Sequence, residues 1–318
     1  MTEAAVATGP RTVGSSRTSA GLLIAVASAA TFGLSGSLAR SLLDIGWSPA
    51  AIVATRVGGA FVVLLIPCLL LLRRTGLPTR LQSGRMISYG LVAVAGAQFC
   101  YFSAVQYLSI GVALLLEYLA PVLLIGWHWF RSRNRPAGRV FVGAGLSLAG
   151  LVGVLDLRGG VQVDPVGVLW GLGAAVCLCA YFVLSEESPH GSPVHPLLLT
   201  TVGTGVGGLT IAGAGLLGLL PLTARVAPTE LAGRAVGWWI PVLLLILVSA
   251  VFAYLSGIVA VRRLGSSVAS FVSLTEVIFA VIFAVILLGQ QPTAVQLIGG
   301  LLVLAGIAVV QRASRPLS

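Results

Sequence analysis

Three charged residues sit in stretches of chain that are otherwise apolar: Arg56, Glu117 and Glu276. A charge inside a membrane-spanning helix costs about 2.5–3.5 kcal/mol on insertion scales, so such residues usually face a cavity or a partner and mark substrate or proton pathways. Glu117 and Glu276 could bind a substrate ammonium, titrate as proton couplers, or do both. The competing reading is a buried carboxyl hydrogen-bonded to Ser, Thr or Tyr that only fixes packing. Arg56 could hold a substrate carboxylate through two parallel N–H bonds. It could equally form an ion pair with one of the glutamates, or snorkel near a helix end. An arginine together with carboxylates suits a zwitterion, hence an amino acid.

Further polar and aromatic residues in the same stretches complete the candidate substrate-binding or coupling set: Gln98, Tyr101, Tyr118, Tyr254, Ser273 and Thr275, with Tyr181 beside them. Pro121 follows Glu117 by four residues. Proline has no N–H to give the carbonyl four back, so the helix is expected to kink there, which makes Pro121 a candidate hinge. No metal is expected: Glu186, Glu187, His190 and His195 have no ligand-type spacing, and Cys68, Cys100, Cys177 and Cys179 all lie in apolar runs. No cofactor motif is present.

The elements that would carry these residues are membrane helices. The chain has 318 residues, 57% hydrophobic and 9% charged, with mean hydropathy +1.03. A soluble domain carries roughly a quarter charged residues, and 40 glycines also fit membrane helices. Apolar runs long enough to span fall at 20–39, 50–72, 87–106, 110–130, 138–156, 166–185, 197–220, 239–260, 267–288 and 294–311. The predicted fold is therefore an all-α membrane protein of ten transmembrane helices.

Every one of the 19 basic residues is arginine. With the N-terminus inside, only Arg40, Arg158, Arg225 and Arg234 fall in outside loops, and most others fall inside. That bias places both termini in the cytoplasm. It also explains the net charge of +10 without nucleic acid as a partner.

The two halves resemble each other. A shift of 156 residues aligns Leu108 with Leu264, Gly143 with Gly299, and Ala149–Gly150 with Ala305–Gly306. Five helices per half is an odd number, so the halves are expected as two inverted five-helix repeats. The turn Gln106–Tyr107 and its partner Arg262–Arg263 carry the opposite charge that this inversion requires. The expected organisation is a disordered cytoplasmic tail at 1–19, repeats at 20–156 and 166–311, an external linker at 157–165 and a cytoplasmic tail at 312–318. Inverted repeats are typical of secondary transporters with a site near the midplane. Glu276 maps to position 120, one helical turn from Glu117, so both carboxylates are expected on the pseudo-symmetry axis.

The segments AVQYLSIGVALLLEYLAPVLL (104–124) and LGQQPTAVQLIGGLLVLAGIAVV (288–310) resemble paired signatures of the drug/metabolite transporter superfamily, EamA-type branch. The resemblance covers residues 20–311. It implies a multi-pass protein of the cell (cytoplasmic) membrane that exports or exchanges small polar metabolites by alternating access. ALLLEYLAP is most similar to members that export amino acids. Two positions depart from the family: Gln290 replaces an acidic residue, and Val277 replaces a helix-9 proline, so the halves are expected to bend differently.

The expected partners are a small-molecule substrate, membrane lipid and coupling protons, with the chain a monomer or homodimer. A multidrug or lipophilic-cation efflux carrier is the alternative substrate class. A channel-like or non-transporting membrane protein is the alternative of another kind. No nucleophile–base pair or phosphate loop points to an enzyme or an ATP-driven pump.

Overall fold

The computed structural model describes residues 13–132, 138–154, 164–185, 194–264, 269 and 272–313. Helix α1 runs Val13–Asp44 and α2 runs Pro49–Thr75. The turn between them follows from residue chemistry. Gly46 adopts φ 95°, and Ser48 then caps α2 by accepting from the Ala51 N–H, with Pro49 in the first turn. Thr79 and Gln82 form a capping box that opens α3, Arg80–Tyr107. Ser109 caps α4, Ile110–Glu117, and α5 follows at Ala120–Ser132. The chain continues through α6 (Gly138–Val154), α7 (Pro165–Ser185) and α8 (Pro196–Leu216). A small antiparallel hairpin of β1 (Thr229–Leu231) and β2 (Arg234–Val236) precedes α9, Trp239–Leu264. Helix α10, Thr275–Leu288, ends on left-handed Gly289, and α11 is Ala294–Ala313.

Among the described residues, six helices are long and apolar enough to cross a membrane: α1 from Ser19, α2, α3, α7, α8 and α9. Thr275–Leu288 is apolar but shorter. The helix of the first expected span begins at Val13, inside the tail expected to be disordered. Residues 1–12, most of the 157–165 linker, residues 314–318 and the Glu186, Glu187, His190 loop lie outside the described residues.

Two irregularities shape the interior. Helix α3 opens into wide turns over Tyr89–Gly96, and α9 does the same over Leu247–Phe252. A shift of 156 carries the second segment onto 91–96. Such turns of i→i+5 hydrogen bonding are rare and concentrate at functional sites. The second irregularity is a break. Helix α4 stops at Glu117, Tyr118 and Leu119 form a turn, and α5 restarts at Ala120. The sequence predicts one kinked helix at Pro121, yet the backbone leaves the helix three residues earlier and Pro121 lies in the first turn of α5, where a missing N–H costs nothing. The ninth expected span is interrupted too, at Leu274, before α10 begins. Leu274 is the repeat partner of Tyr118. The expectation that the halves bend differently is therefore corrected: both are interrupted at equivalent positions, one with a proline and one without.

Packing relies on close helix approach. An added Cβ at Gly33 would lie 2.9 Å from the Glu276 carbonyl oxygen and 3.0 Å from the Ala280 nitrogen, so α1 touches the backbone of α10. Gly90 in the wide turn of α3 similarly lies against the Gly203 carbonyl of α8. Between membrane helices such contacts supply dispersion where lipid offers no hydrophobic drive.

At one end of the bundle the segment between α8 and α9 folds over α1 and α2. Trp47 donates from Nε1 to the Arg225 carbonyl at 2.8 Å, and Thr229 donates from Oγ1 to the Ser41 carbonyl at 2.6 Å. The Ala232 N–H donates to the Leu287 carbonyl at 2.8 Å.

Candidate functional site

A cavity of about 780 Å³, measured out to its mouth, lies among α1, α3, α4, α7, α9 and the start of α10. Its position follows from the irregularities just described. The break after Glu117 and the one at Leu274 end two helices inside the bundle. The wide turns of α3 and α9 lie just before Gln98 and Tyr254. On α1, lining residues run from Ala25 to Ser35, roughly 15 Å at 1.5 Å per residue. The cavity is thus a deep interior chamber, on the scale of ligand pockets generally.

Glu117 and Glu276 both line it. They come from separate halves, and the structure brings them to one chamber. Their surroundings differ. The Tyr118 hydroxyl donates to Glu276 Oε2 at 2.7 Å. Glu117 is 9% exposed, and among the described residues no side-chain or backbone donor is seen on its carboxyl group. A carboxylate removed from water without donors is expensive unless a cation or proton meets it.

Gln98, Tyr101, Tyr118, Tyr254 and Ser273 also line the chamber. Gln98 and Tyr254 are exact repeat partners, and they meet: Gln98 Nε2 donates to the Tyr254 hydroxyl at 3.0 Å. Thr275 does not line it. Its hydroxyl donates to the Val272 carbonyl at 2.7 Å, satisfying backbone at the break before α10. The Pro121 side chain lies outside the described residues.

Arg56 is where the sequence reading departs most from the structure. It is 1% exposed and does not line the chamber. Its guanidinium lies behind Gln98, donating from Nη1 to Gln98 Oε1 and from Nη2 to the Ser249 carbonyl. Ser249 belongs to the wide turns of α9, whose altered hydrogen bonding leaves carbonyls accessible. The Phe102 ring centroid is 5.6 Å from Arg56 Cζ. Among the described residues the ion pair within 4 Å is Arg40–Asp44, on the exposed end of α1. In this structure Arg56 thus lies outside the chamber lining, buried, and among the described residues it forms no ion pair with a glutamate within 4 Å. It ties α2 and α3 to α9, with Nε left without a partner.

The wall from α1 was missed. Ser28, Phe32 and Ser35 line the chamber with Tyr181 and Phe182 of α7. The signal was their helical spacing, Ser28–Phe32–Ser35, which places them on one face. Phe32 packs edge-on against Tyr254, centroids 5.1 Å apart. Three aromatic rings of the lining, Phe32, Tyr254 and Tyr181, form a continuous wall, the last two with centroids 6.3 Å apart. Among the described residues no group of three His, Cys, Asp or Glu could hold a metal ion. His195, once set beside the loop acids, caps α8 by accepting from the Leu197 N–H.

The pattern of the EamA-like transporter family matches this chain twice, over residues 19–156 and 165–312. An uncharacterized transporter of Archaeoglobus fulgidus is 26% identical over 284 residues, covering 88% of this chain and 93% of that protein. The uncharacterized transporter YwfM of Bacillus subtilis is 24% identical over 231 residues, covering 72% and 74%. A crystal structure at 22% identity shares the fold with TM-score 0.60, covering 94% of this chain and 99% of its own.

Proposed function

The chain belongs to the EamA-like transporter family, and from that premise we propose that it is a secondary carrier of small amine-bearing solutes, worked by alternating access around the central chamber. It is a multi-pass membrane protein. Glu117 carries the reading: a buried carboxyl group that faces the chamber with no donor from the described protein. With Glu276 beside the same space, the chamber offers two acidic groups and an aromatic wall of Phe32, Tyr181 and Tyr254. Carboxylates attract an ammonium, and aromatic faces attract the same charge through their quadrupoles. Exchange of that ammonium for protons on Glu117 and Glu276 couples flux to the proton gradient.

The withdrawal of Arg56 from the lining removes the residue that would have held a substrate carboxylate, so a cation suits the chamber better than a zwitterion. Amino acids remain the second reading because of one observation. The helices restart at Ala120 and Thr275 beside the chamber, and helix N-termini carry partial positive charge that favours an anionic group. Alternating access rests on the matched pair of segments, the wide turns in register at a shift of 156, and the paired breaks. These support two inverted repeats that rock about the chamber. The arginine distribution supports cytoplasmic termini in the cell membrane. On that orientation the segment between α8 and α9, tied to Trp47 and Ser41, lies on the outer side.

A matched set of probes tests the substrate class on the purified full chain. Phenethylamine has the ammonium alone, phenylalanine both groups, and phenylpropionate the carboxylate alone. A ligand of the folded protein raises its melting temperature by mass action. Phenethylamine should stabilise the protein and Glu117→Gln should abolish the shift. Stabilisation by phenylalanine alone would favour the amino-acid reading. Stabilisation by phenylpropionate alone would overturn both.

A further inference from the structure

Two thiols meet where α3 crosses α7, behind the chamber wall. On α3, Gly96 and Cys100 are one turn apart, and on α7 Gly173 and Cys177 repeat that spacing. The two pairs interlock. Cys177 Sγ lies 3.0 Å from where a Gly96 Cβ would stand, and Cys100 Sγ lies 3.2 Å from the corresponding point at Gly173. Each cysteine thus occupies the space left by the other helix's glycine, so the two thiol side chains sit against one another. Cys68 and Cys179 show no such pairing among the described contacts.

Both thiols are free and half-buried. The outer edge of this seam is apolar and open: Leu91 and Val92 on α3, and Leu169, Leu172 and Val176 on α7, are all exposed. In a membrane protein that edge faces hydrocarbon, so an oxidant dissolved in the bilayer can reach it. The inner side of the same two helices carries Gln98, Tyr101, Tyr181 and Phe182 of the chamber. The seam also joins the two matched segments, 19–156 and 165–312.

We propose that Cys100 and Cys177 are a modification site: a dithiol that a bilayer-soluble quinone oxidises to a disulfide, stapling α3 to α7. Two S–H bonds break and one S–S bond forms. The two electrons and two protons pass to the quinone, which leaves as the quinol. Close helix approach at the paired glycines is what sets the two cysteine side chains against one another, and a disulfide needs such an approach because it tolerates only a narrow separation. The inference does not depend on what the chamber carries.

The test uses the full chain in proteoliposomes, treated with a decyl-substituted benzoquinone and then unfolded and counted for thiols with a maleimide-linked polymer. The wild type has four cysteines and should fall to two reactive thiols, returning to four with dithiothreitol. Cys100→Ala and Cys177→Ala should each keep all three of theirs. Peptide mapping should place the bond between Cys100 and Cys177. The bond closes a long loop, so the oxidised wild type should melt about 5–10 °C higher than the reduced form. Four thiols remaining after treatment, or a bond that includes Cys68 or Cys179, would overturn the proposal. Because both alanine variants keep a small apolar side chain in the seam, they should fold, and their thiol count reads the chemistry independently of stability.

Discussion

Arg56 gives the sharpest test of the structural reasoning. Arg56→Met keeps much of the side chain's length but none of its donors. It leaves Gln98 Oε1 and the Ser249 carbonyl without the guanidinium they accept from, at about 1–3 kcal/mol for each buried group left unsatisfied. It also removes a charge whose burial itself costs several kcal/mol, so the single substitution is a difference of two large terms. Gln98→Leu is one-sided by comparison. It strips one of the guanidinium's two acceptors while the charge stays 1% exposed, and leaving a buried charged donor without its acceptor costs about 3 kcal/mol. In the Arg56→Met background the same Gln98→Leu change removes an amide whose Oε1 has lost its partner and loses only the Nε2 bond to Tyr254, at about 1 kcal/mol. The coupling energy is then roughly 2–3 kcal/mol, well beyond the additivity expected of independent sites. Equilibrium unfolding of the four proteins in mixed detergent micelles measures it. Additive effects within about 0.5 kcal/mol would refute the pairing. So would an Arg56→Lys protein of unchanged stability whose ligand affinity alone fell tenfold, because that result would put the cation on the substrate.

Pro121→Ala should leave the interruption at Tyr118–Leu119 in place, since Leu274 marks an equivalent break without a proline. Flux in proteoliposomes should change less than about twofold, and a loss of tenfold or more would restore Pro121 as the hinge. Gly33→Ala should be costly, because its Cβ would meet the backbone of α10 at Glu276 and Ala280. Overpacking of this kind costs about 1–3 kcal/mol, visible as a lower melting temperature. Gly58→Ala is the control: nothing lies within 4 Å of an added Cβ there, so the melting temperature should hold or rise slightly.

The membrane character was legible because it depends on sums. Apolar runs and nineteen arginines need no knowledge of contacts to be counted. The glutamates were legible for a related reason, since a charge in an apolar run has few places to go. Partner choice was not legible. Arg56 finds Ser249, 193 residues away, through a carbonyl that the wide turns of α9 make available, and no residue type announces those turns. The α1 wall was hidden by composition: Ser28 and Ser35 sit among alanines and glycines that read as packing residues.

Where a proline was read as the cause of a helix interruption, the structure points to a different origin. Tyr118–Leu119 and Leu274 are equivalent positions with different residues, one followed by Pro121 and the other by Val277. Likewise the wide turns of α3 hold YGLVAVAG and those of α9 hold LVSAVF, sequences with little in common beyond small and apolar residues. A feature that persists while its residues change is held by packing around it. For the breaks, the surrounding contacts are specific: Tyr118 reaches Glu276, and Thr275 satisfies Val272. For the wide turns they are the bonds of Gln98 to Tyr254 and of Arg56 to Ser249. Each of the two bonds Tyr118–Glu276 and Gln98–Tyr254 joins one matched segment to the other. The irregular backbone and the polar side chains of the chamber are therefore parts of one arrangement, and a substitution in either half should be felt in both.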